Sequence, residues 1–349
     1  MQTRILTSVT LLAVLASGCG NSQVQTGSTV PTEPLACALP LPPPGTLQAP
    51  IEVPCDQRSD PRVQAISDAG IGLTSVLGLP AGRYALPATE TPSQLVVMFH
   101  GHQNDSCSWR DHLREVAAEG AVVVAMDYSD QADREVEPFG FVENWGWAVR
   151  SGAADSLLAA QYFLDRYPSI EEVYSFGASM GGNVSGYAAY DATAVRADCT
   201  PMWDYWIATE GVHNLTEEYT GARILAPGLE AAAHAVAEIE EENGGTLEQV
   251  PDAYAEITNT LHGSALGYLR GAVLTHGTND QTVPVDQSRQ MTDQLRAAGV
   301  PTHLYLVSGS DHVWEGDGTA AVMRIGLDEL KRLMAGGEVS DGETPVAGP

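Results

Sequence analysis

A Gly-x-Ser-x-Gly pentapeptide, from Gly177 to Gly181, carries the clearest chemical signal in the sequence. It follows a β-branched and aromatic run that starts at Val173, and it precedes an Ala/Gly-rich stretch of helical pattern. A serine at a sharp turn between strand and helix exposes its hydroxyl, and small residues two positions away let the two backbones approach each other. The pentapeptide alone is a weak signal in a glycine-rich chain, but this context predicts that Ser179 is a nucleophile.

A serine nucleophile needs a general base and a group that orients the base. The candidate base is His312, in the loop after the last predicted strand, and His213 at another predicted strand end is its rival. The candidate orienting acid is Asp280, in the loop after the penultimate predicted strand, with Glu210 as the alternative. All of these residues follow predicted strands, so a parallel sheet would gather them at one edge.

Acyl transfer also needs backbone N–H groups that bind the developing oxyanion. The residue after the nucleophile, Met180, is expected to supply one N–H. The second is expected from the loop after Phe99-His100-Gly101, with His102 as first choice and Gln103 as second. Each such donor can contribute roughly 3 kcal/mol to transition-state stabilisation. Only the backbone of His102 is needed for this role.

The chain order of nucleophile, acid and histidine is that of α/β-hydrolases, and four motifs extend the match. They are Phe99-His100-Gly101, Gly177-Ala178-Ser179-Met180-Gly181-Gly182, His276-Gly277-Thr278-Asn279-Asp280-Gln281-Thr282-Val283-Pro284 and Asp311-His312. Over roughly residues 60–335, the chain resembles α/β-hydrolase serine hydrolases of the esterase and prolyl-oligopeptidase-like branch. The resemblance implies acyl transfer through a serine ester, with no metal and no organic cofactor.

Two departures from the peptidase branch favour a carboxylic ester hydrolase acting on a small-molecule or polymeric ester. Fewer than 100 residues precede the core, so no N-terminal propeller domain is expected. The oxyanion loop begins His100-Gly101-His102-Gln103 and is not of the Gly-Gly-Pro type. A peptidase or amidase with the same triad is the alternative. A binding or adhesion protein without activity is disfavoured, because the serine, aspartate and histidine are all present.

The remaining pattern predicts an α/β-hydrolase fold, with a mostly parallel sheet flanked by helices. Near-continuous apolar runs alternate with amphipathic stretches, which is typical of strands buried on both faces. The predicted strands are 94–99, 121–126, 173–176, 203–209, 271–276 and 302–307. Residues 60–92 are expected to add antiparallel first strands, and 127–147 to form a loop. The aromatic residues Tyr128, Trp109, Trp145 and Trp147 could line an acyl pocket or lie in the core.

An insertion at residues 213–267 interrupts the alternation and predicts a helical cap over the site. Helices are expected at 229–242 and 247–261. The first of them carries an acidic run, interpreted as a solvated helix face: Glu238, Glu240, Glu241 and Glu242.

The N-terminus has the pattern of an export signal. Residues 1–18 join a positive charge to an apolar run too short to span a bilayer, and small residues precede Cys19. This favours a bacterial lipoprotein signal with lipid on Cys19, and an ordinary secretory signal is the alternative. A Pro/Ser/Thr-rich linker is expected at 19–50, the hydrolase domain at 51–336 and a disordered tail at 337–349. The protein is therefore expected in the cell envelope or secreted.

The net charge and the cysteine content limit the partners, disulfides and metal sites that the sequence predicts. The net charge of −28, from 45 acidic and 17 basic residues, disfavours nucleic acid and anionic membrane surfaces as partners. Four cysteines besides Cys19 predict two disulfides in an exported protein, with Cys37–Cys55 and Cys107–Cys199 as the expected pairs. A zinc site is disfavoured, because no two cysteines have C-x-x-C spacing.

Overall fold

Nine strands form one central sheet in the computed structural model, which describes residues 63–66, 82–312 and 321–348. The nine strands are β1 Val63–Ile66, β2 Gly82–Ala85, β3 Gln94–Phe99, β4 Val122–Met126, β7 Glu172–Ala178, β8 Tyr205–Thr209, β9 Gly271–Gly277, β10 Thr302–Val307 and β11 Gly342–Val346. Their spatial order is β1-β2-β4-β3-β7-β8-β9-β10-β11. Strands β1 and β2 run antiparallel to each other, β2 is antiparallel to β4, and all later neighbours are parallel.

The central strands are apolar on both faces because helices cover both sides of the sheet. Along β3, Val97 and Phe99 face one core, while Val96 and Met98 face the other. Helices α2 Val149–Arg166, α3 Met180–Tyr190 and α7 Val285–Ala297 cover the first face. Helices α1 Arg110–Ala117 and α8 Ala321–Met334 cover the second. This is the α/β-hydrolase architecture that the sequence predicts.

The insertion between β8 and β9 is helical, as predicted. It contains α4 Leu215–Leu225, α5 Glu230–Asn243 and α6 Pro251–Glu256, and then two 3-10 turns at Asn259–Leu261 and Gly263–Leu266. The sequence prediction omitted α4, although Asn214 and Glu217 form an N-terminal capping signal. The Asn214 side chain accepts a hydrogen bond from the Glu217 N–H at 3.2 Å.

The segment predicted as a loop at 127–147 instead contains a two-stranded hairpin. Strands β5 Ala132–Val136 and β6 Gly140–Trp145 pair antiparallel with each other and separately from the main sheet. The buried residues of these two strands are Val142 and Trp145, three positions apart, so the sequence lacks the period-2 alternation that would have indicated strands.

The segment predicted as a disordered tail at 337–349 instead contains a strand. Residues 342–346 form β11, parallel to β10 with Leu304 opposite Glu343. Without β11, β10 would be the edge strand; β11 pairs with its free side and becomes the edge instead. Two further contacts hold the segment: Arg296 donates to the Gly342 carbonyl at 2.7 Å, and the Thr302 N–H donates to Asp341 at 2.8 Å.

Several predictions concern residues outside the described ranges, namely the export signal, Cys19, the 19–50 linker, Cys37 and Cys55. The predicted Cys107–Cys199 bridge does not fit the fold. Cys107 follows the carboxyl end of β3, whereas Cys199 precedes the amino end of β8, on the opposite edge of the sheet. Two cysteines whose Cα atoms are more than about 7 Å apart cannot form a disulfide without backbone movement. In the described part of the chain, no helix is long and apolar enough to cross a membrane.

Candidate active site

Ser179 lies at the sharp turn between β7 and α3. Its backbone has φ 55° and ψ −125°, a conformation that non-glycine residues rarely adopt and that concentrates at functional sites. A Cβ on Gly177 would lie 2.1 Å from the Gly181 carbonyl oxygen, and one on Gly181 would lie 2.0 Å from the Phe99 carbonyl oxygen. Both positions must therefore be glycine. The turn exposes the serine side chain at the carboxyl edge of the sheet.

A continuous hydrogen-bond chain runs from the serine to a buried carboxylate. The Oγ atom of Ser179 is 3.0 Å from Nε2 of His312. On the other side of the ring, Nδ1 of His312 is 2.7 Å from Oδ2 of Asp280. The side-chain carboxylate of Asp280 is fully buried. The structure thus brings together the three residues that the sequence proposed as nucleophile, base and orienting acid.

Asp280 is fixed by four donors, which set its charge state. Its Oδ1 accepts the N–H groups of Thr282 and Val283, each at 2.8 Å. Its Oδ2 lies 3.1 Å from Nε2 of His276 as well as next to His312. Burial alone would raise the pKa of Asp280, but the hydrogen bonds from His276 and His312 outweigh burial and lower this pKa below its ordinary value. Asp280 is therefore a stable anion beside the imidazole.

His276 is a supporting residue that the sequence analysis did not assign to the site. Its Nε2 faces two acceptors, Oδ2 of Asp280 and the Val283 carbonyl at 2.9 Å, so Nε2 carries the proton. Its Nδ1 lies 2.7 Å from the hydroxyl of Ser288, which then donates to it. The His-Gly-Thr-Asn-Asp motif was a detectable signal, because it places a histidine four residues before the acid.

The loop that carries His312 is fixed to the loop that carries Asp280. The Asp311 side chain accepts the His312 N–H at 2.8 Å and the Gln281 N–H at 2.9 Å. Burial lowers the pKa of His312, but the hydrogen bond and the charge of Asp280 outweigh burial and raise this pKa above its ordinary value. The site therefore favours the imidazolium that forms when the ring takes a proton from Ser179.

Glu210, the alternative acid, lies near the histidine but outside hydrogen-bonding distance. Its Oε2 is 3.7 Å from Nδ1 of His312, against 2.7 Å for Asp280. Burial raises the pKa of Glu210 to about 8, so this carboxyl is largely protonated at neutral pH. Its backbone has φ 48°, and its Oε1 has no hydrogen-bond partner within the described ranges. Distance and charge both favour Asp280 as the orienting acid.

We expect Glu210→Gln to stabilise the protein at alkaline pH and to leave its stability unchanged at acidic pH. The pKa of Glu210 is higher in the folded protein (about 8) than its ordinary value of 4.5, so the folded state binds the proton more tightly. The contribution of Glu210 to the free energy of unfolding is complete below its pKa in the unfolded state. It is lost as the pH rises through its pKa in the folded state. Glutamine mimics the protonated form and avoids this loss.

Thermal unfolding of both proteins at about pH 4, below the unfolded pKa, and at about pH 9 measures this effect. The melting temperatures should agree at the lower pH, and the variant should melt several degrees higher at the upper pH, equivalent to about 1 kcal/mol or more. An equal difference at both pH values would show that Glu210 does not titrate as inferred.

The one group of possible metal ligands within the described ranges is this same site. Single ligand atoms of Glu210, Asp280 and His312 all lie within 4.8 Å of one another. A metal ion there would have to replace the hydrogen bond between His312 and Asp280. The carboxylate also receives two backbone N–H groups, which suits an imidazole-orienting acid better than a metal ligand.

His213, the rival base, is a core histidine. Its ring is fully buried and packs edge-on against Trp206 at 5.3 Å between centroids. Burial lowers the pKa of His213 to about 3, so the ring stays neutral. In the described structure neither ring nitrogen has a hydrogen-bond partner, so His213 has no hydrogen bond to Ser179.

The loop from His100 to Asn104, which we call the oxyanion loop, passes over the nucleophile. A Cβ on Gly101 would lie 3.2 Å from Cβ and 3.7 Å from Oγ of Ser179. The buried ring of His100 stacks on Tyr128 at 3.8 Å, and the Tyr128 hydroxyl donates to the His100 carbonyl at 3.2 Å. Gln103 adopts φ 53°, so the chain turns sharply just after His102. This loop and the start of α3 at Met180 are the backbone segments expected to face the oxyanion.

The aromatic residues that were candidates for a pocket lie partly at the site and partly in the core. Tyr128 stacks on the oxyanion loop, and the Trp147 ring lies 5.4 Å from the ring of His102. Trp109 packs edge-on against Phe176 on the opposite face of the sheet, so it belongs to the core. Trp145 donates from its indole N–H to Glu241 at 2.9 Å.

The acidic run of α5 is not the solvated helix face that the sequence suggested. Its four carboxylates contact partners on five different elements, and the side chains of Glu238 and Glu242 are 0% and 6% exposed. The partners are His102 for Glu238, Tyr219 for Glu240, Trp145 and Arg134 for Glu241, and Arg150 for Glu242. Four acids within five positions exceed what one solvent-facing stripe can hold, because a helix turns about 100° per residue. These glutamates therefore attach helix α5 of the insertion to the elements around it.

Comparison with known proteins agrees with this geometry. A sequence profile described as the prolyl oligopeptidase family matches residues 108–325, which is more than half of the chain. The chain belongs to the prolyl oligopeptidase family. This family belongs to the α/β-hydrolase superfamily of serine hydrolases. No curated protein matches the chain.

Solved structures with the same fold include both peptidases and esterases. Acylaminoacyl peptidase from Pyrococcus horikoshii superposes with a TM-score of 0.52 at 16% identity, over 75% of this chain and 40% of that one. The acetyl ester-xyloside bifunctional hydrolase from Caldicellulosiruptor lactoaceticus gives 0.55 at 13% identity, over 74% and 88%. Thermogutta terrifontis esterase 2, phosphonylated by sarin, gives 0.51 at 16%, over 75% and 92%.

This chain therefore spans about two fifths of the length of the peptidase and nearly the whole of the two ester hydrolases. At these identities the likeness establishes the α/β-hydrolase fold.

Proposed function

We propose that this member of the prolyl oligopeptidase family hydrolyses carboxylic esters through an acyl-enzyme on Ser179. His312 acts as the general base, and Asp280 orients it. The backbone N–H groups of Met180 and His102 bind the oxyanion. The observation that carries the proposal is the hydrogen-bond chain from Ser179 through His312 to Asp280, at 3.0 Å and 2.7 Å.

The residues account for a balanced two-step reaction. His312 takes the proton of Ser179 as Oγ bonds to the ester carbonyl carbon, and the carbonyl oxygen becomes an oxyanion facing the two N–H groups. As the oxyanion collapses, the bond to the alkoxy oxygen breaks and His312 returns the proton to the leaving alcohol. Water then repeats the sequence on the acyl-enzyme, releases the carboxylic acid and restores Ser179. Asp280 remains ionised throughout.

Ester substrates are favoured over peptides by the form of the oxyanion loop, His100-Gly101-His102-Gln103, which differs from the Gly-Gly-Pro loop of the peptidase branch. The charge of the protein adds a physical argument. A net charge of −28 repels anionic ligands, so it disfavours acidic substrates and assists release of the carboxylate product. The alternative, a serine peptidase or amidase with the same triad, is favoured by the family match and by the acylaminoacyl peptidase structures.

Matched substrates distinguish the two activities. We expect p-nitrophenyl esters to be hydrolysed with a kcat/KM at least about 10³ times that of p-nitroanilides with the same acyl group, equivalent to about 4 kcal/mol. An acyl-chain-length series of the esters then defines the pocket. Comparable rates for the ester and the anilide, or cleavage of peptidyl anilides alone, would assign the protein to the peptidases.

A further inference from the structure

The hydrogen bond to the ring of His102 comes from the cap, whereas its neighbours are held from the sheet domain. The ring also lies 5.4 Å from the ring of Trp147, which is outside the cap. His100 is fixed by Tyr128, which follows β4, and Gly101 rests on Ser179. The carbonyl of His102 accepts a hydrogen bond from the Asn104 side chain at 3.1 Å. Its ring nitrogen Nε2 instead meets Oε2 of Glu238, which lies on cap helix α5. His102 is therefore held at two points, at its carbonyl by Asn104 of the same loop and at its ring by Glu238 of the cap.

Glu238 is an unfavourable residue to bury unless it has a specific task. Its side chain is 0% exposed, while that of His102 is 21% exposed. Within the described structure Oε1 of Glu238 has no hydrogen-bond partner, so His102 is the one group that compensates the carboxylate. An apolar side chain of similar size would generally pack at such a place at no loss of stability. Cap docking alone does not require a carboxylate here, because Glu241 and Glu242 already anchor the same helix.

We propose that Glu238 is a positioning residue of the oxyanion hole, acting through the ring of His102. By holding that ring, it fixes the rotation of the His102 peptide unit and directs its N–H at the carbonyl oxygen of a substrate bound to Ser179. The inference rests on the proposed function, because it deepens the role given there to the His102 backbone.

The sharp turn at Gln103 makes such a restraint effective. Gln103 has φ 53°, a conformation that non-glycine residues rarely adopt, so the loop needs outside contacts to persist in this shape. A misplacement of about 1 Å in catalytic groups can cost about 10²-fold in rate. Since this restraint comes from α5 of the insertion, the position of that helix and the geometry of the oxyanion hole are coupled.

Four variants test the coupling: Glu238→Ala, Glu238→Gln, His102→Ala and the double variant Glu238→Ala/His102→Ala. His102→Ala keeps the backbone N–H but loses the ring that Glu238 holds. With the fastest p-nitrophenyl ester, we expect each alanine variant to lower kcat about 10- to 100-fold, with KM changed less than about threefold. The double variant should lose no more than the worse single variant, because both changes remove one interaction. Glu238→Gln should lose less, since its amide oxygen can still accept from the ring.

A transition-state analogue reports on the hole itself. The inhibitor 2,2,2-trifluoroacetophenone forms a tetrahedral adduct with a serine, and its oxygen occupies the oxyanion site. Its inhibition constant should rise in proportion to the loss of kcat/KM in each variant. The matched control is Glu242→Gln, a buried carboxylate on the same helix that contacts Arg150 and not the loop. Its kcat and inhibition constant should stay within about threefold of wild type.

The possible outcomes are distinct. Losses that multiply in the double variant, or a Glu238→Ala variant with a lower melting temperature but an unchanged kcat, would overturn the inference. If Glu238→Ala does not fold, the kcat and the inhibition constant of His102→Ala and Glu238→Gln still test the inference. Full activity of Ser179→Ala would overturn the proposed function. Loss of activity in Ser179→Ala with normal activity in His102→Ala would overturn the role of Glu238 alone.

Discussion

Ser179→Ala is expected to abolish turnover while leaving the fold intact. Loss of a triad serine can cost on the order of 10⁶ in kcat, because no other group forms the acyl-enzyme. The described contact of the hydroxyl is a single hydrogen bond to His312, so alanine should change the melting temperature little. Ester hydrolysis by purified wild type and variant measures the first effect, and thermal unfolding measures the second.

Fluorophosphonate labelling provides an independent readout of the same residue. Wild type should be labelled at Ser179, and the alanine variant should not be labelled. Ser169→Ala is a suitable control, because Ser169 precedes β7 at the opposite edge of the sheet and its hydroxyl donates to the Pro92 carbonyl. It should retain both activity and labelling. Near wild-type hydrolysis by Ser179→Ala would show that the nucleophile is a different residue.

The sheet and its covering helices were predictable because their signals are local. An apolar run such as Gln94–Phe99 is short, bounded by turn residues and followed by an amphipathic stretch, so its type and its bounds both follow from the pattern. The turn at Ser179 was predictable for the same reason. Two glycines flank it, and each lies where a Cβ would collide with backbone.

The elements that the sequence misassigned depend on partners far away in the chain. Residues 342–346 have the polar, glycine- and proline-containing composition of a tail, and they become a strand because β10 offers an open edge. The acidic run of α5 looked like a solvated face, yet Glu238 is buried against His102, more than 130 residues away. Helical periodicity reports which residues share a face, but not whether a charged face will meet a partner.

The site was predictable in its residue types and not in its distances. Asp280 and Glu210 both follow predicted strands, so the sequence left both open as the acid. The separation of 2.7 Å against 3.7 Å from Nδ1 of His312 depends on the register of neighbouring strands. The supporting role of His276 was missed for the same reason, since it follows from the fold of one loop around Asp280.

Asp280→Asn is expected to lower kcat by about 10⁴. An asparagine at this position would present its amide NH₂ to Nδ1 of His312, and the ring would then carry its proton on Nε2. In that tautomer the ring cannot accept the proton of Ser179. Glu210→Gln should cost less than about tenfold, because the carboxyl of Glu210 lies 3.7 Å away and is largely protonated at neutral pH. A larger loss in Glu210→Gln than in Asp280→Asn would assign the orienting role to Glu210.

The pH profile of Asp280→Asn distinguishes an electrostatic role from a purely structural one. His312 must be neutral to act as a base, so kcat/KM rises with pH through the pKa of His312 in the free enzyme. The anionic Asp280 raises this pKa above its ordinary value of 6.5, which places the acid limb of the wild-type profile above that pH. Removing the charge lowers the pKa of His312, so the limb of the variant should shift to lower pH. A fall in rate with an unshifted limb would mean that Asp280 holds the loop in place and does not stabilise the imidazolium.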